Sequence, residues 1–196
     1  MNWLSLFALF SLVLPTSAHA HTTIKGMGDF VSGLAHPLTT PAHVLVILGL
    51  ALLLGQHTPL KLKMPMLVFG PLSAVALLLT TTGIVKSVPP PFLICIALVA
   101  AIFVALEKPL PPLWCGALFA VAAIGVGFDS RVENGSTGVV IKTLAGTWIS
   151  LMALVCDLAF YVSFCTRKKW QRIGIRVAGS WIIAISLLML AFSLRR

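Results

Sequence analysis

Long apolar runs separated by short polar gaps make up most of this chain. Six such runs follow residue 20, near residues 30–55, 64–85, 89–106, 110–128, 138–165 and 174–194. A helix needs about 20 apolar residues to cross the hydrocarbon core of a bilayer. The pattern therefore predicts an all-α integral membrane bundle of about six transmembrane helices, formed by residues 21–196.

The first apolar run is shorter and has a different ending. Residues 4–14 are apolar, and Pro15 and the small-residue pattern Ala18-His19-Ala20 follow them. A short apolar run that ends in this way is typical of a secretory signal peptide. We expect residues 1–20 to be a signal peptide cleaved after Ala20. An uncleaved additional helix is the alternative, because no Lys or Arg precedes the run.

Composition and charge narrow the class of protein further. Hydrophobic residues make up 59% of the chain and charged residues 10%, whereas soluble domains carry roughly 25% charged residues. The net charge is +9, but the basic residues lie in gaps beside apolar runs and not on a polar face. That arrangement indicates the lipid bilayer as partner and excludes nucleic acid. Four cysteines lie inside or at the ends of apolar runs and are interpreted as packing residues: Cys95, Cys115, Cys156 and Cys165.

The basic gap before the last run predicts the orientation in the membrane. Arg167 to Arg176 is the densest group of positive charge, and such groups favour the cytoplasmic side. Together with a cleaved signal peptide, it predicts a multi-pass protein of a bacterial inner membrane with both mature termini in the periplasm.

Two acidic residues stand where lipid is expected. Asp157 lies within Ala-Leu-Val-Cys-Asp-Leu-Ala-Phe, and Asp129 ends the fourth run. An aspartate at the centre of a membrane helix costs roughly 3 kcal/mol, so such residues usually have a function and face the bundle interior. Asp157 is predicted to be a cation ligand or proton relay, with a structural hydrogen bond as the alternative. Asp129 either caps a turn or attracts cations to an entrance.

His36 and His43 form the second candidate feature. Their spacing of seven residues places them on one face of a helix but about 10 Å apart along its axis. Pro37 and Pro41 interrupt the helix between them, and a bend could bring both imidazoles to one site. Imidazole suits nickel, cobalt, copper and zinc. The alternative is that the two histidines only stabilise a broken helix.

The same segment carries a resemblance to a known family. Gly-Asp-Phe-Val-Ser-Gly-Leu-Ala-His-Pro-Leu-Thr at residues 28–39, continuing to His43, resembles the N-terminal signature of the HupE/UreJ family. These are hydrogenase and urease accessory membrane proteins, regarded as nickel or cobalt permeases. His36, Pro37 and His43 match the family pattern. The resemblance implies a signal peptide, six spans, a nickel-like divalent cation as substrate, and metalloenzyme maturation proteins as partners.

The chain departs from that family pattern at three places. Ala42 stands where the pattern has an aspartate before the second histidine. Val126-Gly127-Phe128-Asp129 stands where a histidine-rich run closes with His-Gly-x-Glu, and Asp157 stands where the fifth span has a histidine. The metal ligands that the resemblance implies are thereby reduced to His36, His43, Asp157 and Asp129.

The functional prediction is a transition-metal permease or metal-binding membrane protein, with Ni, Co, Cu or Zn as substrate and no resident cofactor. It is not predicted to be an enzyme, because the sequence has no phosphate-binding loop and no nucleophile beside a basic histidine. The alternative is a degenerate family member that serves as a non-transporting accessory or scaffold subunit. A homo-oligomer fits either role. A haem or copper protein ranks last, because haem needs imidazoles on opposite sides of its plane.

Overall fold

A computed structural model of the protein describes residues 28–57, 59–84, 88–132 and 135–195. Within these ranges the chain forms seven helices and no strand, which confirms the all-α prediction. The helices are α1 Asp29–Thr39, α2 Pro41–Gly55, α3 Lys63–Thr80, α4 Pro90–Leu106, α5 Pro112–Asp129, α6 Thr137–Phe164 and α7 Lys169–Ser193. The predicted signal peptide, residues 1–20, lies outside the described residues.

The lengths of these helices fit a membrane protein. Four of them, α3, α5, α6 and α7, are long and apolar enough to cross a bilayer. The α1 and α2 helices form a pair bent by 73°, which makes a fifth candidate span. The α4 helix has 17 residues, at the lower end of the range of about 17–25 for a spanning helix. The count of six spans therefore stays a prediction.

The α2 helix occupies the centre of the bundle. Apolar residues lie on every face of this helix, and Val46 and Leu50 have no exposed surface. A helix that is hydrophobic on every side is stable only when neighbours surround it. The α1, α4, α5, α6 and α7 helices all contact α2. The first turn of α2, with His43, and its end, with Gln56, thus mark two opposite ends of the bundle interior.

The close contact between α1 and α6 requires glycine, which has no side chain, at two positions. A Cβ atom on Gly33 would lie 2.0 Å from the carbonyl oxygen of Thr143, and one on Gly146 would lie 2.3 Å from that of Phe30. Neither distance is compatible with a carbon atom, so alanine does not fit at either position. Small residues of this kind let membrane helices approach closely enough for backbone and hydroxyl groups to interact.

The bend between α1 and α2 lies at Thr40, directly before Pro41, and α6 stabilises the last turns of α1, which contain Pro37. Pro37 has no N–H, so it leaves the carbonyl of Gly33 without its usual partner in the helix. The Thr147 hydroxyl lies 3.1 Å from that carbonyl oxygen, and the Ser150 hydroxyl donates to the Leu34 carbonyl at 2.8 Å. Neighbouring side chains are expected to satisfy backbone groups that proline frees inside a membrane. The predicted bend is confirmed, and α6 holds it.

Thr40 forms the break between α1 and α2. Its φ and ψ angles, −100° and 108°, are extended and not helical. Both its backbone N–H and its hydroxyl donate to the carbonyl of His36, at 3.2 Å and 3.1 Å. Pro41 then begins α2 at a position where a missing N–H costs nothing.

Candidate functional site

A pair of side chains, of which His43 is fully buried and Asp129 partly exposed, joins the start of α2 to the end of α5. His43 has no exposed surface, and its Nε2 atom lies 3.0 Å from Oδ2 of Asp129. An ionised carboxylate only accepts hydrogen bonds, so the Nε2–H of His43 is the donor. The other ring nitrogen, Nδ1, is buried and has no hydrogen-bond partner among the described residues.

This arrangement matches the way proteins prepare a histidine for a metal ion. A metal-binding imidazole commonly donates its second N–H to a carboxylate, which fixes the tautomer and orientation of the ring and makes the ligand nitrogen more basic. The Asp129 carboxylate accepts this hydrogen bond from Nε2 of His43. The unpartnered Nδ1 atom is then the one that carries a free electron pair for an ion.

The ring of His36 lies next to that of His43. The two ring centroids are 5.2 Å apart and the planes are inclined by 79°. Two imidazoles bound to one tetrahedral ion, with metal–nitrogen bonds of about 2.1 Å, have centroids about 5 Å apart. In an unbroken helix the two residues would be about 10 Å apart along the axis. The bend therefore brings the two histidines together, as the sequence predicts.

His36, His43 and Asp129, the histidine–aspartate cluster, do not form a complete metal coordination sphere. Across the ranges that the structure describes, no group of three or more His, Cys, Asp or Glu side chains is arranged to hold a metal ion. In this cluster Asp129 binds His43 and does not point with it to a shared centre. The cluster thus contains two neighbouring imidazole rings, one of which is hydrogen-bonded to a carboxylate.

Asp157 lies apart from this cluster. The buried stripe of α6 includes Val155 and Ala159, and Asp157 is about 200° around the helix from Val155, on the exposed face. Along the axis, Ala159 contacts the position of Gly55 at the far end of α2. Asp157 makes no hydrogen bond or ion pair with a described residue. Its expected place inside the bundle is not observed, and its role as an ion ligand stays a prediction.

Two residues that shape the site, Thr147 and Ser150, were not predicted from the sequence. Thr147 and Ser150 hold the bend on which the distance between the histidines depends. A signal for them exists, because Thr143, Thr147 and Ser150 form a polar stripe at helical spacing within an apolar helix and flank Gly146. The carboxylate that contacts His43 comes from Asp129, 86 positions further along the chain, which no local spacing could indicate.

One of three comparisons with known proteins identifies the family of this chain. No match is found among curated proteins or solved structures. A family model described as HupE / UreJ protein matches residues 8–189, which is most of the chain. The match includes α1, α2 and α5, the three helices that carry the histidine–aspartate cluster. The chain therefore belongs to the HupE/UreJ family of membrane proteins related to nickel and cobalt transport or to accessory roles in it.

Proposed function

We propose that this protein is an inner-membrane permease for a divalent transition-metal ion of the nickel or cobalt type, and that His36 and His43 bind the ion. The observation that carries the proposal is the unpartnered, buried Nδ1 atom of His43. This atom belongs to the ring that Asp129 orients. The centroid of that ring lies 5.2 Å from the centroid of the His36 ring, which is close to the separation of two imidazoles on one ion. Nitrogen ligands favour nickel and cobalt over magnesium and calcium.

Asp129 helps the ion to reach the histidines in two ways. Its side chain is 18% exposed while that of His43 is fully buried, so the carboxylate reaches from the surface to the histidine. It also stands at the C-terminal end of α5, where the helix macrodipole adds partial negative charge. A cation arriving from the predicted periplasmic side is therefore attracted first and then bound by the imidazoles.

Movement of the ion beyond the histidines involves α2. From His43 to Gln56 this helix measures about 20 Å at 1.5 Å per residue, which is much of the thickness of a bilayer core. Because the sequence has no nucleotide-binding motif, we assign the movement to an ion gradient and assign no chemical reaction to the protein. Asp157 takes no part in binding at the histidines, and a role for it belongs to a later step of transport.

A non-transporting accessory subunit is the second candidate. Ala42 and the absent histidine-rich run before Asp129 favour it, because both lower the number of ligands that the family pattern implies. Such a subunit would act through metalloenzyme maturation proteins or a second copy of itself.

Metal uptake by cells that express the protein tests the proposal. Uptake of Ni²⁺, Co²⁺, Cu²⁺ and Zn²⁺ is compared between wild type, His36→Ala, His43→Ala and cells with an empty vector. Thr81→Val is the control, since the Thr81 hydroxyl is exposed and binds only its own helix. We expect at least a tenfold loss of Ni²⁺ or Co²⁺ uptake in the first two variants and no loss in the control.

Two results would decide against a permease. Wild-type uptake equal to that of empty-vector cells for all four ions contradicts transport. If the purified protein nevertheless binds Ni²⁺ or Co²⁺ and loses that binding in His43→Ala, the accessory role is the better description.

A further inference from the structure

Basic side chains are concentrated where α7 begins. Five of the ten residues from 167 to 176 are Lys or Arg, and all five are exposed: Arg167, Lys168, Lys169, Arg172 and Arg176. A helix turns by about 100° per residue, so Lys169, Arg172 and Arg176 lie within about 60° of one another around α7. These three residues form one basic patch along the side of the helix.

The basic patch carries more positive charge than its surroundings compensate. Arg172 forms an ion pair with Glu107, and Nε of Arg176 donates to the carbonyl of Ala105 at 3.0 Å. Lys169 has no carboxylate within ion-pair distance among the described residues. Three cations thus face one carboxylate, and two positive charges are left. That balance attracts an anion and repels a metal cation.

Aromatic side chains near the patch mark the level of the lipid headgroups. Trp170 and, in the last turns of α6, Tyr161 and Phe164 are all exposed. Exposed aromatic rings of this kind collect at the boundary between hydrocarbon and water in membrane proteins. The guanidinium of Arg167 lies 5.3 Å from the centre of the Phe164 ring. Positive charge and aromatic surface therefore meet at the level where lipid phosphates lie.

A buried amide lies behind the patch. Gln56 directly follows α2 and is 6% exposed, and neither its Nε2 nor its Oε1 has a partner among the described residues. It lines one recess together with Arg172 and Arg176. Buried amides are almost always hydrogen-bonded, so this one is a separate indication of a polar ligand. Because the recess has no enclosed room, the ligand must lie across its open side.

We propose that the basic patch binds the phosphate of an anionic phospholipid in the leaflet on the predicted cytoplasmic side. The N–H groups of a guanidinium form paired hydrogen bonds with phosphate oxygens, and Lys169 adds a further charge. Clusters of Lys and Arg beside a membrane helix attract the anionic lipids of that leaflet. A lipid fits better than a free phosphate, because its acyl chains can lie on Trp170 and Phe164 while its headgroup meets the patch.

Lipid binding to the purified protein in a neutral detergent tests the proposal, with native mass spectrometry as the measurement. Wild type should bind phosphatidylglycerol at least tenfold more tightly than phosphatidylcholine, because the patch repels the choline cation. Lys169→Gln should weaken phosphatidylglycerol binding about fivefold, the usual contribution of one basic residue at a membrane surface. Lys169 is the first choice because it forms no ion pair with a described residue.

Lys142→Gln is the matched control. Lys142 is an exposed lysine on α6, one residue before the Thr143 that packs on α1 at the opposite end of the bundle. The substitution removes the same charge far from the patch and should keep the affinity within twofold of wild type. Adding Arg172→Gln to Lys169→Gln should lower the affinity by a further factor of about five. If that double variant does not fold, Lys169→Gln alone decides.

Equal affinities for the two lipids, or equal losses in Lys169→Gln and Lys142→Gln, would overturn the inference. Inorganic phosphate in large excess separates a lipid site from a site for any phosphate. It should leave phosphatidylglycerol bound, and displacement would contradict the assignment to a lipid. These measurements contain no metal ion, so their failure is distinct from a failure of the proposed function.

Discussion

The Nε2 atom of His43 lies 3.0 Å from the Asp129 carboxylate and so ties the first turn of α2 to the last residue of α5. The carboxylate occupies one nitrogen of the ring and leaves Nδ1 as the nitrogen for an ion. In the proposed function, this division of roles makes Asp129 a positioning residue and His43 the residue that binds the ion. The two can be separated by experiment.

Asp129→Asn should weaken Ni²⁺ or Co²⁺ binding about 10- to 100-fold, the usual effect of removing a carboxylate that orients a metal-binding histidine. Equilibrium dialysis of the purified protein measures it. Asp29→Asn, an acidic residue at the start of α1, is the control and should keep wild-type affinity. An unchanged affinity in Asp129→Asn would contradict the orienting role.

Gly33→Ala should destabilise the protein and weaken ion binding together. The added Cβ would meet the Thr143 carbonyl oxygen at 2.0 Å, so α1 must move away from α6 and carry His36 with it. Overpacking of this kind costs about 1–3 kcal/mol. Denaturation in mixed detergent, followed by circular dichroism, measures the loss. Gly28→Ala has no atom within 4 Å of the new Cβ and should be neutral; equal effects of both substitutions would refute the steric explanation.

Thr147→Val should lower the free energy of unfolding by about 1 kcal/mol, within the range measured for hydrogen bonds between membrane helices. The substitution keeps the shape of the side chain but leaves the Gly33 carbonyl without the Thr147 hydroxyl. Thr81→Val is the matched control, because the Thr81 hydroxyl is exposed and binds only its own helix. If the two variants unfold alike, the hydroxyl does not hold the bend.

Asp157→Asn should leave the affinity for Ni²⁺ or Co²⁺ within twofold of wild type. The residue lies on the exposed face of α6, at the depth of the far end of α2. Isothermal titration of the purified protein checks this. A tenfold loss of affinity would show that Asp157 reaches the histidines after all, whereas lost uptake with intact binding would assign it to a later step of transport.

The helices of this protein could largely be predicted from local sequence. The run predicted at 110–128 is the helix Pro112–Asp129, because hydropathy and proline at a helix start act locally. The bend between His36 and His43 was predictable for the same reason: proline disfavours a helical conformation at the residue before it, which is Thr40 before Pro41.

The contacts between distant segments could not be predicted in this way. The pairing of His43 with Asp129 depends on how α2 packs on α5, and nothing near either residue encodes that. Asp157 shows the same limit. The polar stripe of α6 ends at Ser150 and the residues next to Asp157 are apolar, so the local pattern does not reveal which face meets the bundle in this part of the helix.

The contacts of α1 have a consequence for the distance between the two histidines. His36 sits on α1, which packs mainly on α6 and is attached to it by the Thr147 and Ser150 hydroxyls, whereas His43 belongs to α2. The separation of the two imidazoles therefore reports the position of α6 relative to α2. Any change in how α6 packs against α2 would change the distance between the two imidazoles.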